Sequence, residues 1–187
     1  MVLACHVVFG TYGFWLPNDP RGSWSEFVGS WELARFGPAT KTGTRRSLAG
    51  AEHDRRMRLA AKSALKYGPV KLTGRQALAV GQGFIAAIAE SGYSVHACAI
   101  LPEHAHLVVR RHSRGVTQIV GHLKARATQR LIAEELWPDA ERPVWGRKCW
   151  RVFLNDEEDV RRAIAYVERN PLKEGKPAQK WSFVVSF

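Results

Sequence analysis

Two rhythms of apolar residues alternate along this chain. Residues 2 to 9 are a run of β-branched and apolar side chains that stops at Gly10, the pattern of a buried strand. From Thr73 to Ser91 the residues Leu78, Phe84, Ile85 and Ile88 recur at helical spacing, after a capping threonine and before Gly92, which predicts an amphipathic helix. Tyr93 to Leu101 and His104 to Arg110 read as two strands joined by a tight connection through Pro102 and Glu103. Val116, Val120, Leu123, Ala127 and Leu131 repeat near the helical period, so a second core helix spans Gly115 to Leu136. Lys148 to Leu154, aromatic and β-branched, is a further strand. Asn155-Asp156-Glu157-Glu158 then supplies the N-cap and acidic first turn of a third helix, which ends near Asn170-Pro171. Val160, Ala163, Ile164 and Val167 form its core face, and Tyr166 and Asn170, four residues apart, lie together at the border of that face.

In chain order the elements are strand, helix, strand, strand, helix, strand, helix. The first six match the β-α-β-β-α-β pattern of a ferredoxin-like α+β fold with an antiparallel sheet, here followed by a tyrosine-bearing helix. Between Gly13 and Gly50 the breakers Pro17, Pro20, Gly22, Gly29, Gly37, Pro38 and Gly43 oppose long regular elements, and Trp15, Trp24 and Trp31 make the stretch too aromatic for a linker. Glu52 to Lys66 reads as a basic helix carrying Arg55, Arg56, Arg58 and Lys62, broken by Gly68-Pro69. The expectation is a single domain over residues 1–187, with an irregular basic insertion at about 13–70.

Composition adds a partner. The chain of 187 residues is 45% hydrophobic, enough for a core, and its 28 basic against 17 acidic residues give a formal charge of +11. So large an imbalance favours a polyanion, nucleic acid first. A membrane partner would require a basic amphipathic helix, a lipidation signal or a long apolar run, and none is seen, so the cytoplasm, alongside the nucleoid, is the default address. Cys5, Cys98 and Cys149 form no CxxC pair and read as small core residues.

His104 and His106 carry the chemistry. Two residues apart on a strand, their imidazoles project from one face, close enough to share a divalent cation. Alone, a His-x-His pair is more often decoration, and a tyrosine near a helix end is more often packing; the weight comes from finding Tyr166 and Asn170 in the same chain. His122, Arg126 and Arg130, at four-residue spacing, form a positive edge suited to a phosphate backbone. His6, His53, His96 and His112 lack such company and read as packing or solvent contacts. Trp145 and Trp150, beside Arg147, Lys148 and Arg151, are the candidates for stacking on bases, although tryptophans in a small domain are generally core. The basic helix around Arg55 to Lys62 is open between a solvated face and a DNA contact.

Pro102-Glu103-His104-Ala105-His106-Leu107-Val108-Val109 resembles the His-hydrophobic-His (HUH) motif of single-strand DNA transposases. Tyr166-Val167-Glu168-Arg169-Asn170-Pro171-Leu172-Lys173 resembles their tyrosine helix, and the Asn-Pro pair followed by a basic residue is similar to the REP-associated tyrosine transposases. The resemblance covers about residues 93 to 175. It implies a metal-dependent endonuclease and strand transferase with the HUH fold, acting on single-stranded or hairpin DNA. In that reading Tyr166 is the nucleophile of a 5′-phosphotyrosine intermediate, and His104, His106 and Asn170 hold Mg²⁺ or Mn²⁺. Lys124, Arg126, Arg130, Arg147 and Lys148 would supply nonspecific DNA affinity. Both a monomer and a homodimer are compatible with the resemblance. Glu103 stands where the family commonly has asparagine, and Ala105 is small for the central hydrophobic position; neither change removes a ligand. Two other readings compete: a hairpin-binding protein that no longer cuts, and a zinc hydrolase using His104, His106 and a carboxylate.

Overall fold

The computed structural model describes residues 1–19, 28, 30–39, 52–139 and 141–187. Strands β1 (Ala4–Gly10), β2 (Val95–Ile100), β3 (His104–Arg110) and β4 (Trp150–Leu154) form an antiparallel sheet in the order β2-β3-β1-β4. Helices α1 (Trp31–Ala34) and α2 (Arg55–Ser63) precede α3 (Gly74–Ser91), α4 (Val116–Ala133) and α5 (Glu157–Lys173). From β1 and α3 onward this is the ferredoxin-like α+β arrangement that the apolar pattern predicts, with α5 appended.

The two-residue period of the strands divides the molecule into layers. Cys5, Val7 and Phe9 of β1 and Ala105, Leu107 and Val109 of β3 face α3 and α4, forming the main core. Ala4 and Val108 face the other way, with Ala97 and Ala99 of β2, and receive Val160, Ala163 and Val167 of α5. Helices α3 and α4 cross closely at Gly83, where an added Cβ would stand 2.5 Å from the Ala127 Cα. Cys5, Cys98 and Cys149 are buried, free thiols, and burial pushes that of Cys5 up to about 12, as expected of core residues.

Local signals set the helix ends. A reciprocal capping box joins Thr73 and Gln76 at the start of α3, and Gly92 closes that helix at φ 66°. The Asp156 carboxylate accepts the Asp159 N–H at 2.7 Å at the start of α5. Three helices differ from expectation at their ends. Helix α2 begins only after Asp54, whose side chain accepts from the Met57 N–H. Helix α4 stops at Ala133, before Glu135 turns to φ 57°. Helix α5 runs through Pro171 to Lys173, because a proline in the last turn forfeits one bond, and the Lys176 N–H recloses that turn on the Pro171 carbonyl at 2.8 Å. Of the tryptophan-rich stretch, Trp24 lies outside the described residues, with Pro20, Gly22, Gly29 and Gly43.

The C-terminal segment covers the β2 edge. The Gln179 amide donates to the Ile100 carbonyl at 2.7 Å and accepts from the Ile100 N–H at 2.8 Å, and Val184 bridges Val95 in parallel. No helix of the described residues is long and apolar enough to cross a membrane.

Candidate active site

His104 and His106 lie on the α5 face of β3, their rings 4.8 Å apart and steeply inclined. A third imidazole joins them from β1. His6 stacks on His106 at 5.4 Å between centroids, and its Nε2 stands 3.2 Å from His106 Nδ1. The chain leaves β1 at Gly10, where an added Cβ would come within 2.5 Å of Phe14; the bare backbone lets Phe14 fold back and stack on His104 at 4.7 Å.

Helix α5 brings the tyrosine. Val160, Ala163 and Val167 seat it on the sheet, which places Tyr166 edge-on to His6 at 5.7 Å and to His106 at 5.8 Å. One turn on, Asn170 is only 8% exposed, whereas Tyr166 is 40% exposed and open to an incoming substrate. Lys173 places its Nζ 4.6 Å from the Tyr166 ring centroid, and Glu174 Oε1 lies 3.8 Å from His104 Nε2. Trp150 packs its ring against His6 at 5.5 Å. The four predicted residues, His104, His106, Tyr166 and Asn170, thus share one face of the sheet.

Burial decides the charge of the histidine pair. It pulls His6 down to about 4, and it pulls His106 well below the ordinary histidine range, with repulsion from His104, His6 and Lys173 adding to the effect. Both rings are neutral at neutral pH, so one donates and the other accepts across the 3.2 Å contact. His106 Nδ1 is occupied in this way, which leaves Nε2 for a ligand.

Two imidazoles and an amide on this face would furnish donors to a divalent cation and leave positions open. Among the described residues no group of three or more His, Cys, Asp or Glu side chains converges so as to hold a metal. An amide is the remaining donor: Asn170 Nδ2 is buried with no hydrogen-bond partner among the described residues. Exchanging the amide N and O, an assignment that rests on hydrogen-bond partners, would turn an oxygen into that position.

The basic residues sort differently from expectation. Lys124 is half-buried: its Nζ donates to the carbonyls of Gly146 at 2.8 Å and Lys148 at 3.2 Å, beneath the loop that leads to β4. Arg126 and Arg130 lie on α4, on the opposite side of the sheet from Tyr166, ion-paired with Glu90 and Glu134 respectively; His122 also meets Glu90, at 3.0 Å. Arg147 and Lys148 are exposed in the loop before β4. Trp145 is partly buried against the main core, edge-on to Phe9 and donating to the Lys124 carbonyl. His6, read from sequence as packing, is part of the site; the readable signal is its parity on β1, which matches that of His106 across the β1–β3 pair.

No family model matches the chain, and no curated protein matches it. The solved structure of a REP-associated tyrosine transposase bound to a REP hairpin is similar over 97% of this chain and 74% of that one, with a TM-score of 0.52 and 14% identity. A Deinococcus radiodurans R1 protein provisionally named a transposase aligns over 96% of this chain and 94% of its own, with a TM-score of 0.43 and 11% identity. At 14% identity the likeness is one of architecture: this chain has the α+β fold of the REP-associated tyrosine transposase.

Proposed function

We propose that this protein is a tyrosine transposase of the REP-associated kind, a metal-dependent nuclease and strand transferase acting on single-stranded or hairpin DNA. The observation that carries this reading is the placement of the exposed Tyr166 edge-on to His6 and His106, on the sheet face that also holds His104 and Asn170. The shared fold of a transposase bound to a hairpin supports it. A DNA substrate would place the activity in the cytoplasm, with the nucleoid.

In this reading the Tyr166 oxygen attacks the scissile phosphorus. The new P–O bond to tyrosine forms as the bond to the 3′ oxygen breaks; the phenolic proton is lost and the departing oxygen gains one, leaving a 5′-phosphotyrosine and a free 3′-hydroxyl. The ester conserves the phosphodiester energy, so a second 3′-hydroxyl can reverse the step without a nucleotide cofactor. His104, His106 and Asn170 would hold Mg²⁺ or Mn²⁺, whose chemistry is to polarise and orient the phosphate. His6 fixes the ring of His106, and Lys173 brings a cation to the tyrosine where the phosphate would arrive. Among the described residues no group of three or more His, Cys, Asp or Glu side chains is arranged to hold a zinc ion, which weighs against a zinc hydrolase.

The test is incubation of the protein and Mn²⁺ with labelled hairpin DNA carrying single-stranded flanks. A denaturation-resistant adduct that Tyr166→Phe loses is the expected result. DNA binding with no adduct from either protein would favour the non-cleaving alternative, and an adduct that survives in Tyr166→Phe would overturn the assignment.

A further inference from the structure

The two histidines of the candidate metal site are held by different means. His106 lies within β3, and His6 takes up its Nδ1. His104 opens that strand directly after the Pro102–Glu103 turn, and the torsion that aims its ring nitrogens is a soft one with a broad, two-fold profile. Its direction therefore has to come from packing. Phe14 supplies a flat surface: the two rings stack with centroids 4.7 Å apart and planes within 22°, while the His106 ring stands at 72° to that of His104, at 4.8 Å. Turning the His104 ring about its Cβ–Cγ bond would drive it into Phe14, which is 5% exposed and has little room to yield.

The phenyl ring is tied to the strand it serves. The Thr11 N–H donates to the Glu103 carbonyl at 2.8 Å, and the Thr11 hydroxyl lies 2.7 Å from the Val70 carbonyl and 3.0 Å from that of Glu103. The Phe14 N–H closes the turn on the Thr11 carbonyl at 3.2 Å. Glu103 immediately precedes His104, so the turn that carries the ring and the residue that starts β3 are bonded to one another and keep their relative positions. We propose that Phe14 is a positioning residue of the metal centre, holding the His104 imidazole in the orientation at which it meets a divalent cation; this rests on the reading of the site as a metal-dependent nuclease. The Phe14 side chain has no polar atom to offer the imidazole, so it acts on ring direction and not on ligand basicity, whereas His6 meets His106 through a ring nitrogen. Residues 11 to 14 thus belong to the site, although they lie outside the stretch that carries the resemblance.

Mn²⁺ calorimetry, with histidine-ring NMR of the metal-free protein, tests this on Phe14→Leu and, as a second filling of the same space, Phe14→Met. Either change keeps an apolar side chain that cannot stack, and should weaken Mn²⁺ binding about tenfold. In the metal-free protein the His104 ring protons, assigned through His104→Gln, should move downfield as the phenyl ring current is lost, with those of His6 in place. Phe14→Tyr keeps the ring and should hold both readings at those of the unaltered protein. Trp15→Leu changes the neighbouring residue, whose ring meets Phe14 at 5.2 Å, and should alter neither. Unchanged Mn²⁺ affinity in the Leu and Met variants would overturn the role of Phe14, and so would an equal loss in Trp15→Leu, the mark of a general loosening of the turn. The adduct assay reads separately: an adduct from the unaltered protein, with Mn²⁺ affinity indifferent to Phe14, keeps the nuclease and rejects the positioning, whereas an unaltered protein that binds no Mn²⁺ and forms no adduct rejects the nuclease and the positioning with it.

Discussion

Under α3 and α4 the sheet presents Phe9, Ile100 and Leu107, answered by Phe84, Leu123 and Leu131, all fully buried. Under α5 the same strands present Ala4, Ala97 and Ala99, together with His6 and His106. Burying a large apolar side chain stabilises by about 1.5 to 3 kcal/mol, while an alanine returns far less and a buried neutral imidazole must find a partner. Stability is therefore concentrated on one face. The other can carry polar groups at cost because the first holds the sheet together, and its alanines give α5 room to seat Tyr166 against the histidines.

The sharpest separation of the two faces should come from Tyr166→Phe. Loss of the hydroxyl should abolish the covalent DNA adduct altogether while leaving thermal melting unchanged, since the residue is exposed and its ring remains. Phe84→Ala addresses the other face and should destabilise the protein by about 3 to 5 kcal/mol in denaturant titration; a loss below about 1 kcal/mol would mean that the main core is not where stability resides. His6→Ala should weaken Mn²⁺ binding, read by calorimetry, by about 10-fold to 100-fold, because His106 would lose the partner that orients its ring. Unchanged affinity would return His6 to plain packing.

The smallest effect concerns pH. Burial lowers the Lys124 ammonium from 10.5 to about 8. Between those values the unfolded chain keeps a proton that the folded chain has released, so the cost of burying this cation is present in full below about 8 and is relieved as pH rises through that window. Lys124→Met should flatten the rise in melting temperature between about pH 8 and pH 10, a shift of a few degrees at most.

The element order and the pairing of His104, His106, Tyr166 and Asn170 were legible because they depend on local periods: alternation on β3 and one helical turn on α5. His6 was not, because a histidine in an apolar strand gains meaning only when β1 is known to lie beside β3. Lys124 reads as a surface cation until residues 146 to 148 fold over it, and Arg126 as a phosphate contact until Glu90 arrives from another helix. The Arg130–Glu134 pair, by contrast, is written in the chain at four-residue spacing and could have been discounted from sequence alone.

The clamp of Gln179 on Ile100 also fixes what the molecule can build. A fibre that grows by adding strand to strand needs two bonding edges on every subunit, and here Gln179, Val184 and Val185 engage one of them at both of its ends. The sheet's valence for its own kind is at most one, so assembly through strand addition would end at a pair and could not propagate.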